Sequence, residues 1–357
     1  MKSSQSLRFN EIDFLRGIAC LAVLVFHYFS RAPRAGWMQG VDYPAIELMA
    51  RYGYLGVHLF FVISGFVILM SAHDATPRAF VASRVARLYP TLWVGATLTA
   101  GTAWLLGEGQ FMVSMRDWLI NLTMLAHWFD APYVDGAYWS LGYELHFYIF
   151  VWVALRLGLM NRLPWLLVCW LAISAINAVK PMWPVQFWLN AKWAPFFVAG
   201  GVFYLIRTQG ETLGRYALLA ASFVLALIYA LGDAASQGTG PEAVALRPVV
   251  VGAVVTAIFG VFWMIATGRF TMRASAITFY AGALTYPVYV IHQFFGAMLF
   301  EQLRMALGSV PLAMALVVAA VAVLAWAIHV GVERPLGKRL RRLLDTPRLE
   351  ARMSSVG

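Results

Sequence analysis

Ten stretches of this sequence are apolar and long enough, or nearly so, to cross a hydrocarbon core about 30 Å thick, and that repetition leaves few folds open. They run over residues 12–30, 53–71, 88–106, 138–159, 164–179, 187–206, 214–231, 248–267, 284–303 and 310–331. Hydrophobic residues make up 61% of the 357 and charged residues 12%, with a mean hydropathy of +0.70, which excludes an ordinary soluble domain. The expected fold class is all-α: a polytopic membrane protein with about ten transmembrane helices. No segment between the spans is long enough for a separate domain. Residues 1–336 are therefore expected to form one membrane domain, followed by a basic tail over 337–357.

Orientation follows from lysine and arginine in the connections. With both termini cytoplasmic, the inner segments hold most of the 27 basic residues, among them Arg78, Arg84, Arg87, Arg207, Arg215 and the run from Arg334 to Arg352. The net charge of +10 is then the usual excess of cations beside an anionic leaflet, so the expected partner is membrane lipid and not nucleic acid. The leader Met1 to Asn10 precedes a full-length span without a small-residue cleavage site, the pattern of an uncleaved first helix. Cys20 and Cys169 fall in different spans and read as small buried hydrophobes. Asn10 followed by Asp13 reads as a helix cap, Met115 to Trp128 as a helix lying in the outer interface, and Gly232 to Pro241 as an outer turn. Asn121-Leu-Thr matches a glycosylation tripeptide too common to carry weight.

Against this apolar background the polar residues stand out. The first span carries Arg16 and His27, eleven residues or about three helical turns apart, so both lie on one stripe roughly 16 Å apart along the axis. A charge inside a membrane helix costs about 2.5–3.5 kcal/mol and is rarely present without a partner or a task. In the second span, Ser64 and Gly65 suit either close helix packing or a site, and His58 near the outer end is expected to be solvated. Arg84 and Arg87 share a helix face at the cytoplasmic boundary, as anchors or as a forked pair for phosphate. The fourth span opens with Tyr138-Trp139-Ser140-Leu-Gly-Tyr143-Glu144, which sets a carboxylate at about the depth of His27. Tyr286 and His292 follow in the ninth span, and Glu333 beside Arg334 reads as an ion pair at the end of the tenth.

Taken together these marks resemble acyltransferase family 3, the bacterial integral-membrane O-acyltransferases that decorate surface glycans and some antibiotics. Arg16 and His27 within Asp13-Phe-Leu-Arg-Gly-Ile-Ala match the family's basic-x10-His signature, and Phe60-Phe-Val-Ile-Ser-Gly-Phe66 its second-helix motif. Arg84, Arg87 and Pro90 are similar to its Arg-x-x-Arg element, Trp139 to Glu144 to its fourth motif, and Tyr286 to His292 with Glu333-Arg-Pro335 to its C-terminal marks. His58 departs from the pattern, since many members carry an acidic residue there.

The resemblance implies a multi-pass protein of the bacterial inner membrane that moves an acyl group, most often acetyl from acetyl-CoA, onto a glycan hydroxyl on the far side. The acyl-CoA is a donor substrate; no permanently bound cofactor and no metal are expected. Arg84 and Arg87 would hold the phosphates of coenzyme A, and His27 would take the hydroxyl proton or carry the acyl group itself. Glu144 would orient the imidazole, and Arg16 would stabilise negative charge or guide the pantetheine arm. Asp13, Ser64, Trp139, Ser140, Tyr143, Tyr286, His292 and Glu333 are the further pocket candidates. Buried Arg, His and Glu suit a transporter or flippase equally well, although no pair of matching repeats is evident.

Overall fold

A computed structural model of the chain describes residues 9–239 and 243–345. Every regular element among them is helical. In chain order they include α1 (Asn10–Phe26), α2 (Gly56–Ala72), α3 (Pro77–Leu106), α4 (Met115–Asn121), α5 (Trp139–Arg156), α6 (Leu163–Val179), α7 (Ala194–Gln209), α8 (Leu213–Ser236), α9 (Pro248–Ala266), α10 (Ala276–Ile291), α11 (Phe294–Leu307), α12 (Val310–Ile328) and α13 (Arg334–Asp345). Six helical stretches among the described residues are long and apolar enough to cross a membrane, and seven if the bent pair α10–α11 counts as one span. The expected spans over 88–106, 138–159 and 187–206 fall on α3, α5 and α7. They do not pass that test: α7 has only 16 residues, while α3 and α5 are too polar.

Burial sorts the helices into a centre and a rim. In the stretches containing α1 and α2, 56% and 72% of the apolar window is buried, against 28%, 22%, 39% and 33% in those containing α6, α8, α9 and α12. The rim helices face lipid, which is why Cys169 on α6 is exposed and not buried as expected, whereas Cys20 on α1 is buried. At the centre, small residues let backbones touch, the usual solution where lipid competes with every apolar contact. A Cβ on Gly65 would lie 3.0 Å from the Gly200 Cα and would overlap the Phe197 carbonyl, so α2 and α7 meet there without side chains between them. Gly17 on α1 stands against Ala281 of α10 in the same way.

The expected ninth span, 284–303, is not one helix: α10 and α11 are bent by 72° across His292 and Gln293. A break at membrane depth frees backbone groups that lipid cannot satisfy, and side chains take them here. His292 Nδ1 donates to the Tyr289 carbonyl (2.8 Å), the Tyr138 hydroxyl to that of Val290 (2.9 Å) and the Tyr28 hydroxyl to that of His292 (2.7 Å). The Phe294 N–H, first in α11, donates to Asp135 Oδ2 at 2.8 Å.

Several local expectations are corrected. Helix α1 is capped by the backbone of Phe9 alone, and Asn10 Nδ2 reaches instead to the Met272 carbonyl at 3.2 Å. The interfacial helix stops at Asn121, where the buried side chain bonds Asp117 and Pro132 carbonyls and the Val134 N–H, folding the chain back before Trp128; that burial also removes Asn121 as a glycosylation site. Helix α8 continues to Ser236, so the turn foreseen from Gly232 begins only at Gln237, and its Pro241 lies outside the described residues. The leader residues 1–8 and the tail beyond 345 also lie outside them. Residues 337–345 belong to α13, which packs along α3 with Gly337 against the Ala86 carbonyl.

Candidate functional site

Three cavities succeed one another between α1, α2, α3, α5 and α10. The first, about 780 Å³, opens at the start of α1 and is lined by Asp13, Arg16, Arg84, Arg87, His329, Glu333 and Arg341, among others. The second, only about 80 Å³, shares Arg16, Arg84, Arg87, Val67 and Tyr286 with it and adds Ser64, Ser140 and Glu144. The third, about 530 Å³, holds His27, Arg31, His58, Trp139, Tyr143, Lys192, Trp193 and Gln293. Val57 and Tyr289 belong to both the second and the third. Arg16 and His27 thus sit along one passage, as their common stripe on α1 requires.

Arg16 comes from α1, and Arg84 and Arg87 from α3. Arg16 Nη1 pairs with Asp13 Oδ1 one turn earlier (3.1 Å). Arg84 lies 5.7 and 5.8 Å from the ring centres of Phe80 and Tyr148, with its Nε on Ser83 Oγ. Arg87, three residues on, lines the same two cavities. Glu144 is the acid among them: its Oε1 accepts from Ser64 Oγ (3.0 Å) and the Tyr148 hydroxyl (2.7 Å). It does not orient His27, because its side chain opens into the second cavity, one compartment short of the imidazole.

His27 is oriented by His292. Helix α1 passes into a single π turn at His27–Arg31, a distortion common at functional sites, and His27 Nδ1 there lies 2.8 Å from His292 Nε2. The tautomers follow from one carbonyl. The Tyr289 oxygen can only accept, so His292 Nδ1 carries hydrogen and, with that ring neutral, His292 Nε2 accepts from His27 Nδ1–H. That leaves the lone pair of a neutral His27 on Nε2, free to take a proton.

The other candidates divide. Trp139 and Tyr143 wall the His27 cavity, Ser140 and Tyr286 the middle one. Glu333 does not bond Arg334 but His329, at 2.8 Å, within a second π turn. His58 is not solvated: it is 1% exposed and ringed by Tyr54, Trp193 and Phe196. Sequence reasoning missed Tyr28, Asp135, Lys192, Trp193, Asp233, Gln293 and His329. Asp135 before Gly136 carries the signal of a helix cap and does receive the Ala137 N–H; its second bond, to Phe294, has no trace in the sequence. Lys192 pairs with Asp233 at the mouth of the His27 cavity, across a sequence distance no local pattern spans. Among the described residues, no group of three or more His, Cys, Asp or Glu is placed to hold a metal ion.

An all-helical, multi-pass fold that lines one passage with three half-buried arginines and an oriented imidazole defines an integral-membrane protein with its candidate active site inside the helix bundle. The chain belongs to acyltransferase family 3: the family model of the acyltransferase domain matches residues 9–330. It is 30% identical over 170 residues to a protein of Komagataeibacter xylinus named as a membrane-bound transacylase, covering 43% of this chain and 39% of the relative. It is 29% identical over 173 residues to a Staphylococcus aureus protein named as an O-acetyltransferase, covering 42% and 26%. A Streptomyces mycarofaciens acyltransferase is 29% identical over 199 residues, covering 53% and 50%. The matches therefore span half or less of these relatives' lengths. No solved structure matches the chain.

Proposed function

We propose that the protein is an O-acyltransferase of the bacterial inner membrane that takes an acyl group, in the first instance acetyl, from acyl-CoA and places it on a hydroxyl of a surface or exported glycan. The observation that carries this reading is the line of cavities with arginines at one end and the free Nε2 of His27 at the other. The concentration of basic residues toward the α1 start supports a cytoplasmic position for that end, on the side where coenzyme A is available. Arg84 and Arg87 bind the donor's phosphates, Arg16 stands beside its arm, and Glu144 with Ser64 and Tyr148 balances their charge. The distance from Arg16 to His27, roughly 16 Å by helix rise, matches the reach of an extended pantetheine arm.

In the reaction, the glycan oxygen attacks the thioester carbonyl while His27 Nε2 takes its proton. The C–O bond forms, the C–S bond breaks, and the proton passes from His27 to the departing thiolate. His292 steadies the imidazolium through the Nδ1–H bond, the part a carboxylate plays in a hydrolase triad. Trp139, Tyr143 and Trp193 offer the apolar faces against which a sugar ring packs, and the aromatic wall is the feature of the third cavity that favours a glycan.

The test is purified protein with labelled acetyl-CoA and a panel of glycans. Label moving onto a glycan in the wild type, and not in His27→Ala of equal yield and membrane insertion, is the expected result. Glycan or carrier crossing a vesicle membrane without acyl transfer would replace this reading with a transporter or flippase.

A further inference from the structure

Arg341 lines the first cavity beside Arg16, Arg84 and Arg87, although it belongs to α13, beyond the residues 9–330 that the family model matches. Two contacts fix where it stands. Gly337 sits on the Ala86 carbonyl, where a Cβ would come within 2.7 Å of the oxygen, and Arg78 Nε donates to the Leu344 carbonyl at 2.6 Å. The contacts run in opposite order along the two elements, so α13 lies antiparallel to the first turns of α3. Arg341, four residues or about 6 Å past Gly337, therefore falls near the level of Ser83, which lines the same cavity. Depth separates it from the other three arginines. Arg16, Arg84 and Arg87 are half-buried and also line the middle cavity, whereas Arg341 is exposed and lines only the first.

The acids of that cavity are engaged by other groups. Asp13 pairs with Arg16 at 3.1 Å, Glu333 bonds His329 at 2.8 Å, and the exposed Asp74 stands 3.8 Å from His73. None of the three pairs with Arg341, so its guanidinium is open to an anion at the outer part of the cavity.

We propose that Arg341 binds the 3′-phosphate of coenzyme A and gives the donor site its preference for coenzyme A over analogues that lack this group. The inference rests on the donor being acyl-CoA and adds a residue of another element and a selectivity. Coenzyme A carries its diphosphate between the pantetheine arm and the ribose, and its third phosphate on the far side of the ribose. With the diphosphate at Arg84 and Arg87 and the arm directed toward His27, the 3′-phosphate lies furthest from the middle cavity, where Arg341 stands. A guanidinium there can set two N–H donors on one phosphate.

The experiment compares coenzyme A with 3′-dephospho-coenzyme A by equilibrium binding to the purified full-length protein. The wild type should bind coenzyme A at least about tenfold more tightly, the contribution of one charge-assisted contact. Arg341→Gln should bring the two affinities within about twofold of each other by weakening coenzyme A alone, with the Kd for the dephospho compound unchanged; that unchanged Kd also shows that the variant is folded. Arg342→Gln removes the same charge from the next residue, which does not line the cavity, and should keep the wild-type preference. A preference that survives Arg341→Gln, or one lost equally in Arg342→Gln, would overturn the proposal. So would equal binding of both compounds by the wild type, which needs no variant. A wild type that binds neither compound would instead remove the donor reading, and this inference with it.

Discussion

A single hydrogen bond, His27 Nδ1 to His292 Nε2 at 2.8 Å, decides which nitrogen of the catalytic candidate faces the cavity. Without it the imidazole is free to rotate and to exchange tautomers, and the fraction with a lone pair correctly placed falls. His292→Ala should therefore lower kcat by about 10²- to 10⁴-fold, the range general-base catalysis commands, with little change in KM for acyl-CoA. Steady-state kinetics with separate donor and acceptor titrations measures the split; a KM effect alone would make His292 a packing residue. At the other end, Arg84→Glu with Arg87→Glu should raise the Kd for acyl-CoA at least about tenfold, the loss of one charge-assisted contact, as read by equilibrium binding. Unchanged affinity would return both arginines to the role of membrane anchors. Glu144 shows the limit of depth counting: it lies on the expected helix, yet its partners are Ser64 and Tyr148 and not the histidine.

At the scale of elements, the break between α10 and α11 is what brings His292 within reach of His27. Its backbone groups rely on Tyr28, Tyr138 and Asp135. Replacing Asp135 by Ala leaves the buried Phe294 N–H without a partner, which costs about 1–3 kcal/mol. Thermal unfolding in detergent should show the loss, and activity should fall with it because His292 moves with the break. A substitution that lowers neither would mean the bend is held by packing alone. The small-residue contacts are as demanding: Gly200→Val must push the backbone of Val62 away, and overpacking of this kind costs about 1–3 kcal/mol or more, visible as reduced yield and a lower unfolding temperature. The motif Ser64-Gly65 thus combines both meanings its sequence allowed, Gly65 for close packing and Ser64 for the carboxylate of Glu144.

For the molecule as a whole, apolar runs announced an all-helical membrane protein, and among the described residues six or seven stretches meet the length and apolarity for crossing. Helix α5, expected as the span over 138–159, falls short of that apolarity because the residues that make it polar, Ser140, Glu144 and Tyr148, line the passage and do not face lipid. Hydropathy measures a helix against lipid and undercounts one that surrounds a polar interior. The motifs carried the family, since five short patterns in order are specific even where each is weak. The 16 Å stripe from Arg16 to His27 was also legible, because periodicity within one helix needs no tertiary information.

What the sequence determined by itself is therefore what local geometry and solvent preference determine: helices, their apolar faces, and two polar groups on one stripe. The tertiary structure decided the rest. Whether His27 answers to Glu144 or to His292, and where α10 breaks, depend on contacts between residues 80 or more positions apart, some of them about 260. Such pairings are set by how helix backbones approach one another at glycines and by which side chain reaches a freed carbonyl, and neither leaves a periodic mark along the chain.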